Sequence, residues 1–269
     1  MSAIDPSQLR RYLDDAEYRR SLLRAADRLL EGPAPHEAQL SDAFATKFAS
    51  CLARSRQSIA SIQAPLRVGV VFAMWREARR LLPRSAGNPT GEDCLAFKLE
   101  TLDWLFSGTP IRYHLYAVDD DCPEDSRGVA ERLCRERGFG DRVTLLHIRD
   151  GFPYADEPLA RLPSVESSTK GGAIALGASR AIADGCDFVA YTDCDVSVHL
   201  GQLGNLLEPA ARRGKLAVFG DRTLNRDFTF WDDNRGTEAA GAKLLSHVRR
   251  LLLTLRLPLF DVPSPARSR

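Results

Sequence analysis

The sequence is short of almost everything that marks a specialised protein class. No apolar run approaches the roughly 20 residues that span a bilayer, and the stretch from Met1 to Pro6 shows no basic segment followed by an apolar one. Six cysteines stand at positions 51, 94, 122, 134, 186 and 194 without a C-x-x-C pair, and five histidines form no cluster at zinc-ligand spacing. These absences exclude a disulfide framework and a zinc site, so a reducing, cytoplasmic setting is expected. Net charge is nearly absent as well: 37 Lys and Arg against 36 Asp and Glu leave +1, which is no electrostatic footprint for nucleic acid. What is present is enough for a large core, since 44% of 269 residues are hydrophobic.

From Asp5 to Gly32 the spacing predicts one helix, with Asp5 as N-cap, Pro6 at the first helical position and Gln8 completing a capping box. Leu9, Leu13, Ala16, Leu23 and Leu30 form its apolar stripe, and Arg10, Arg11, Arg19 and Arg20 its wetted face. A second helix carries Phe44, Phe48, Cys51, Leu52, Ile59 and Ile62 and ends before Pro65. Residues 1–65 therefore read as a helical extension, packed on the rest of the chain or on a partner.

The grammar then changes. β-Branched runs at 67–73, 113–118, 143–148, 187–192 and 216–219 alternate with helical stretches near 94–106, 126–137, 171–183 and 200–213. This alternation predicts an α/β domain over 66–261, with a mostly parallel sheet covered by helices on both faces and ligands at the carboxyl ends of its strands. A basic amphipathic helix near 241–257 reads as a core helix with a solvated edge, the alternative being peripheral contact with anionic lipid at the inner face of a membrane. Residues 262–269 read as a disordered tail.

Three segments carry chemistry. Asp193-Cys194-Asp195 ends what reads as a buried strand, where two neighbouring carboxylates call for a compensating cation such as Mg2+ or Mn2+. The alternative without chemistry is a pair of turn and cap aspartates. Upstream, Ser168-Thr169-Lys170-Gly171-Gly172-Ala173 opens a helix with a lysine and two glycines, which suits a diphosphate but is not a P-loop, because the lysine precedes its glycines. At the second strand's end, Val118-Asp119-Asp120-Asp121 offers acceptors for a base or ribose, or caps for the next helix. His199 comes after the D-x-D as a loop residue within possible reach of a metal, and His114 and His147 read as structural.

In this order and spacing, Met74-Trp75-Arg76-Glu77, Val118-Asp119-Asp120 with Asp125, Lys170-Gly171-Gly172-Ala173 and Asp193-Cys194-Asp195 resemble the motifs of family-2 glycosyltransferases of GT-A fold, over roughly residues 67–220. The resemblance implies an inverting transfer from a nucleotide-sugar donor, UDP- or GDP-linked, to an acceptor that is a saccharide, a small molecule or a polyprenyl phosphate. It implies Glu77, Asp119, Asp120, Lys170, Gly171 and Asp193 as donor-binding residues, and Asp193 and Asp195 as metal ligands. Gly220-Asp221-Arg222 is loosely similar to the G-S-R strand end of polyprenyl-phosphate glycosyltransferases, which would make Arg222 a phosphate contact.

The pattern also departs from that family. Pro258 to Asp261 begins an acceptor-side segment that does not continue, so the family's downstream base is missing and Asp232, Asp233 or Glu238 would have to serve. The insertion from Leu81 to Asp93 lengthens the first loop and is expected to cover the nucleotide. Two rival readings stand beside this one: a nucleotidyltransferase, whose Gly-rich loop after the first strand is lacking, and a catalytically silent nucleotide-sugar-binding or scaffold protein.

Overall fold

The computed structural model describes residues 6–32, 43–156, 158–214 and 217–218. At its centre, β1 (Arg67–Met74), β2 (Arg112–Asp119), β3 (Val143–His147) and β4 (Phe188–Tyr191) form an all-parallel sheet in the order β3-β2-β1-β4. Parallel strands need crossovers, and these are α5 (Cys94–Phe106) after a short α4 (Ala78–Leu81), α6 (Ser126–Arg137) and α7 (Gly171–Ala183). The result is a Rossmann-like α/β fold. Register runs from Arg67↔Arg112 to Met74↔Asp119 on one side of β1 and from Val68↔Phe188 to Val71↔Tyr191 on the other.

Side-chain alternation assigns the two faces. Val71, Ala73, Tyr116 and Val118 form one core cluster with Ala173 and Ala181 of α7. Phe72 points the other way, toward α5, where the Lys98 ammonium lies 5.6 Å from its ring centroid. Helix α7 approaches closely because its inner stripe is small: a Cβ on Gly177 would stand 2.5 Å from Val71 Cγ1. Among the described residues no helix is long and apolar enough to cross a membrane.

The N-terminal region departs from the single expected helix. It is broken into α1 (Pro6–Asp14) and α2 (Ala16–Glu31), because Asp15 adopts an extended conformation and its carboxylate accepts from the N–H groups of Glu17 and Tyr18. The break reverses the expectation for Arg19, which is 2% exposed rather than wetted. Its guanidinium donates to the carbonyls of Tyr12 and Leu13, at the carboxyl end of α1, and to that of Glu92, each at 2.9 Å. The expected second helix is α3 (Ala43–Ala60), with Phe44, Phe48, Leu52 and Ile59 all buried.

These helices pack on the α/β part. Tyr12 donates to Val196 O at 3.0 Å, Arg20 pairs with Glu100, and the N–H of Gly204, which opens α8 (Gly204–Arg213), donates to Ser55 Oγ. The expected cap at Asp5, the strand at 216–219, the helix near 241–257 and the tail at 262–269 lie wholly or largely outside the described residues.

Candidate functional site

β1 is flanked by β2 on one side and β4 on the other, so the chain reverses its direction of travel across the sheet at β1. The crevice beyond the carboxyl ends of β1 and β4 is the topological switch point, the place where open α/β sheets bind ligands. Glu77 comes after β1 there, and Asp193 and Asp195 after β4.

The strand leading to the D-x-D is not the buried one that the sequence pattern implied. β4 is half-exposed, with Tyr191 48% accessible, and among the described residues it pairs on one side only, with β1. The two carboxylates are therefore partly hydrated, and each has protein partners. Asp193 accepts from the Lys170 ammonium and, at 2.9 Å, from the Tyr191 hydroxyl. Asp195 Oδ1 accepts from the Ser197 N–H and hydroxyl at 3.1 and 2.5 Å.

Lys170 is the hinge of the arrangement. It and Thr169 have φ of +76° and +38°, which side chains rarely tolerate, and the strain is held by the Lys170 N–H donating to Asp120 Oδ2 at 2.7 Å. Ser168 Oγ then caps α7 through the Ala173 N–H, and Gly172 is required beside it, because a Cβ there would stand 2.6 Å from that oxygen. Gly171 has no such reason: a Cβ at that position would meet nothing within 4 Å. Burial pulls the Lys170 ammonium down, but its bonds to Asp193 and Tyr191 outweigh this and hold it above the usual lysine range.

A second cation sits among the remaining acids. Arg80 donates to Glu77 Oε2 at 2.9 Å and lies 3.4 Å from Glu92 Oε1. Burial, and in smaller measure the negative charge of Asp195, raise the carboxyl groups of Glu77 and Glu92 above the ordinary range, against the opposing pull of Arg80. Glu92, Arg80 and Lys98 were not singled out by sequence. Arg80 had a signal, three residues beyond Glu77 in a helical register. Glu92 had none, and the structure explains it: Glu92 Oε2 accepts the Val196 N–H at 2.9 Å, while Lys98 donates to Asp195 O at 2.8 Å. The end of the Leu81–Asp93 insertion is therefore a strut behind the D-x-D segment.

Asp119 is turned elsewhere. Its oxygens accept the N–H groups of Cys122 and Arg127 at 2.7 and 3.1 Å, with His147 Nε2 at 3.7 Å, so it builds the loop that enters α6. His199 is buried in the core, ringed by Phe48, Phe97 and Tyr12, and its Nδ1 accepts the Gly201 N–H. That placement removes it from any metal. Arg222, Asp232, Asp233 and Glu238 lie outside the described residues.

Among the described residues no three His, Cys, Asp or Glu side chains gather as a metal-holding group. A cleft of about 510 Å³ lies where α1 meets α2, lined by Asp14, Glu17, Arg19, Arg84 and Glu92 among others, but by none of Glu77, Lys170, Asp193 or Asp195. Comparison with protein-family models, with curated proteins and with solved structures finds no match.

Proposed function

We propose that the chain is a glycosyltransferase of GT-A-like architecture that takes a nucleotide-diphosphate sugar in the crevice between β1 and β4. The observation that supports this best is Lys170, whose main chain is bound to Asp120 and whose ammonium reaches Asp193. One residue thereby joins Asp120, after the second strand, to Asp193, after the fourth, at the switch point. Diphosphate recognition needs such a cation beside a helix start and beside carboxylates able to share a divalent ion. Gly171 fits the same reading, since the space its Cβ would occupy is not filled by the protein.

In this reading Lys170 turns from Asp193 to a phosphate oxygen of the donor, and its charge stabilises the departing nucleoside diphosphate. Asp193 and Asp195 are hard oxygen donors, and one or two carboxylates suffice for Mg2+ or Mn2+ when water and phosphate complete its shell. Such an ion supplies neutralisation of the diphosphate's negative charge. Of the second-strand pair, Asp120 belongs to the donor crevice, whereas Asp119 shapes the loop beside it. Glu77 borders the crevice with its carboxylate tied to Arg80.

A second reading, a nucleotide-sugar-binding protein without turnover, is favoured by the charge pattern. Lys170 already pairs with Asp193, and Arg80 is shared by Glu77 and Glu92, so part of the site's acidic charge is offset without a metal. Titration calorimetry with UDP, GDP and their sugars, in Mn2+ and again in EDTA, tests both. Metal-dependent binding with donor hydrolysis is expected of the enzyme, binding without hydrolysis or transfer of the second reading. Absence of binding to every nucleotide would sink both.

A further inference from the structure

Helix α5 grips the D-x-D segment with two side chains one turn apart. Cys94 Sγ lies 3.7 Å from the Sγ of Cys194, the residue between the two aspartates. Four positions on, Lys98, itself 2% exposed, donates to the carbonyl of Asp195. Both thiols are free and buried. Other cysteines meet different partners: Cys122 meets Ser126 and the Arg76 N–H, Cys186 the Tyr116 hydroxyl, and Cys51 the side chains of Gln202 and Asn205.

We propose that Cys94 and Cys194 are a reversible dithiol–disulfide site, oxidised by a small hydroperoxide, that clamps the D-x-D segment onto α5. A disulfide requires an S–S distance near 2.05 Å, so the sulfurs must close by about 1.6 Å, within reach of side-chain rotation and a small shift of 193–196. One thiol sulfur attacks the peroxide, the O–O bond breaks, and water (from hydrogen peroxide) or an alcohol (from an organic hydroperoxide) departs with the thiol proton, leaving a sulfenic acid. The second sulfur displaces its hydroxyl, which leaves as water with the second thiol proton, and the S–S bond forms. Two electrons pass from the thiols to the hydroperoxide.

Formation of the bond is independent of the donor-site reading. Its consequence rests on that reading: with Cys194 tethered and Asp195 O held by Lys98, the flanking carboxylates lose the freedom to re-aim at a metal. The test treats the full chain with hydrogen peroxide, alkylates remaining thiols, and maps peptides by mass spectrometry without reduction. A peptide linked through positions 94 and 194 and lighter by two hydrogens is expected, reversed by dithiothreitol and absent in Cys94→Ser. Separate alkylated or over-oxidised Cys94 and Cys194 peptides, or Cys194 joined to another cysteine, would overturn the site. Oxidised protein is expected to bind UDP or GDP with Mn2+ at least about tenfold more weakly than reduced protein. A formed link with unchanged nucleotide affinity overturns the clamp. A formed link with no nucleotide binding in either state leaves the redox site standing and defeats the donor reading.

Discussion

Acid should unfold this protein through one histidine in particular. His199 lies between Phe48 and Phe97, whose ring centroids are 5.3 and 5.2 Å away, with Tyr12 at 6.1 Å. Its Nδ1 accepts the Gly201 N–H, so the ring proton is on Nε2, which is buried without a hydrogen-bond partner among the described residues. Burial first, then the nearby cations Arg19 and Lys98, pull its pKa from 6.5 down to about 3. A depressed folded-state pKa means stability that is complete above the unfolded value and is lost as pH falls toward the folded one. Between about pH 7.5 and about pH 4.5 the loss amounts to about 2.6 kcal/mol. The raised carboxyl groups of Glu77, Glu92 and Asp119 act oppositely, favouring the fold as pH falls, so the wild-type slope alone mixes the two effects.

The difference between wild type and His199→Asn isolates the histidine, because Asn offers an acceptor near the Nδ1 position and does not titrate. Urea unfolding at a series of pH values should show the variant less stable at neutral pH, through lost packing, with the gap closing by about 2.6 kcal/mol toward about pH 4.5. Parallel pH profiles for the two proteins would refute the placement of a neutral, caged imidazole.

Four further outcomes are expected. Asp195→Asn should weaken metal-dependent nucleotide binding more than about tenfold in calorimetry while the circular dichroism spectrum is kept, and equal binding would remove Asp195 from the metal site. Lys170→Met should cost about 1 kcal/mol or less in stability, because the pair with Asp193 is about half-exposed on the lysine side, yet should weaken nucleoside diphosphate binding severalfold or more. Gly171→Ala and Gly172→Ala form a contrast: the first should leave thermal stability unchanged or up to about 1 kcal/mol higher while reducing diphosphate affinity, and the second should destabilise by crowding the Ser168 cap. Arg19→Met, which strips donors from three carbonyls, should lower stability by about 3 kcal/mol in urea unfolding, and a loss under about 1 kcal/mol would contradict its role at the α1–α2 break.

The four described strands were legible within a residue or two at their ends, because each is a short apolar or aromatic run bounded by turn residues, and the central parallel strand β1 announces itself by burial on both faces. Helix α3 was legible from its 3.6-residue stripe, and α5, α6 and α7 from their places between successive strands. Periodicity failed at Asp15, where a cap competes locally with a helix that the flanking residues would otherwise continue, and it failed again for Arg19. The exposed face of β4 was misread for a related reason: an apolar strand of four residues has the same pattern whether one of its faces is covered or open.

Sequence by itself determined the alternation of strands and helices and the acidic, glycine and lysine signals at strand ends, since these are properties of neighbouring residues. Only the tertiary structure decided which of those signals meet. Asp119 and Asp120 are adjacent in the chain, yet one turns into its own loop and the other crosses fifty residues to the Lys170 N–H. The partners of the D-x-D, Lys170, Arg80 by way of Glu77 and Glu92, Lys98 and Cys94, come from separate segments. Strand order places them together, and strand order results from how helices bury the two faces of the sheet, a global balance of packing that no local pattern contains.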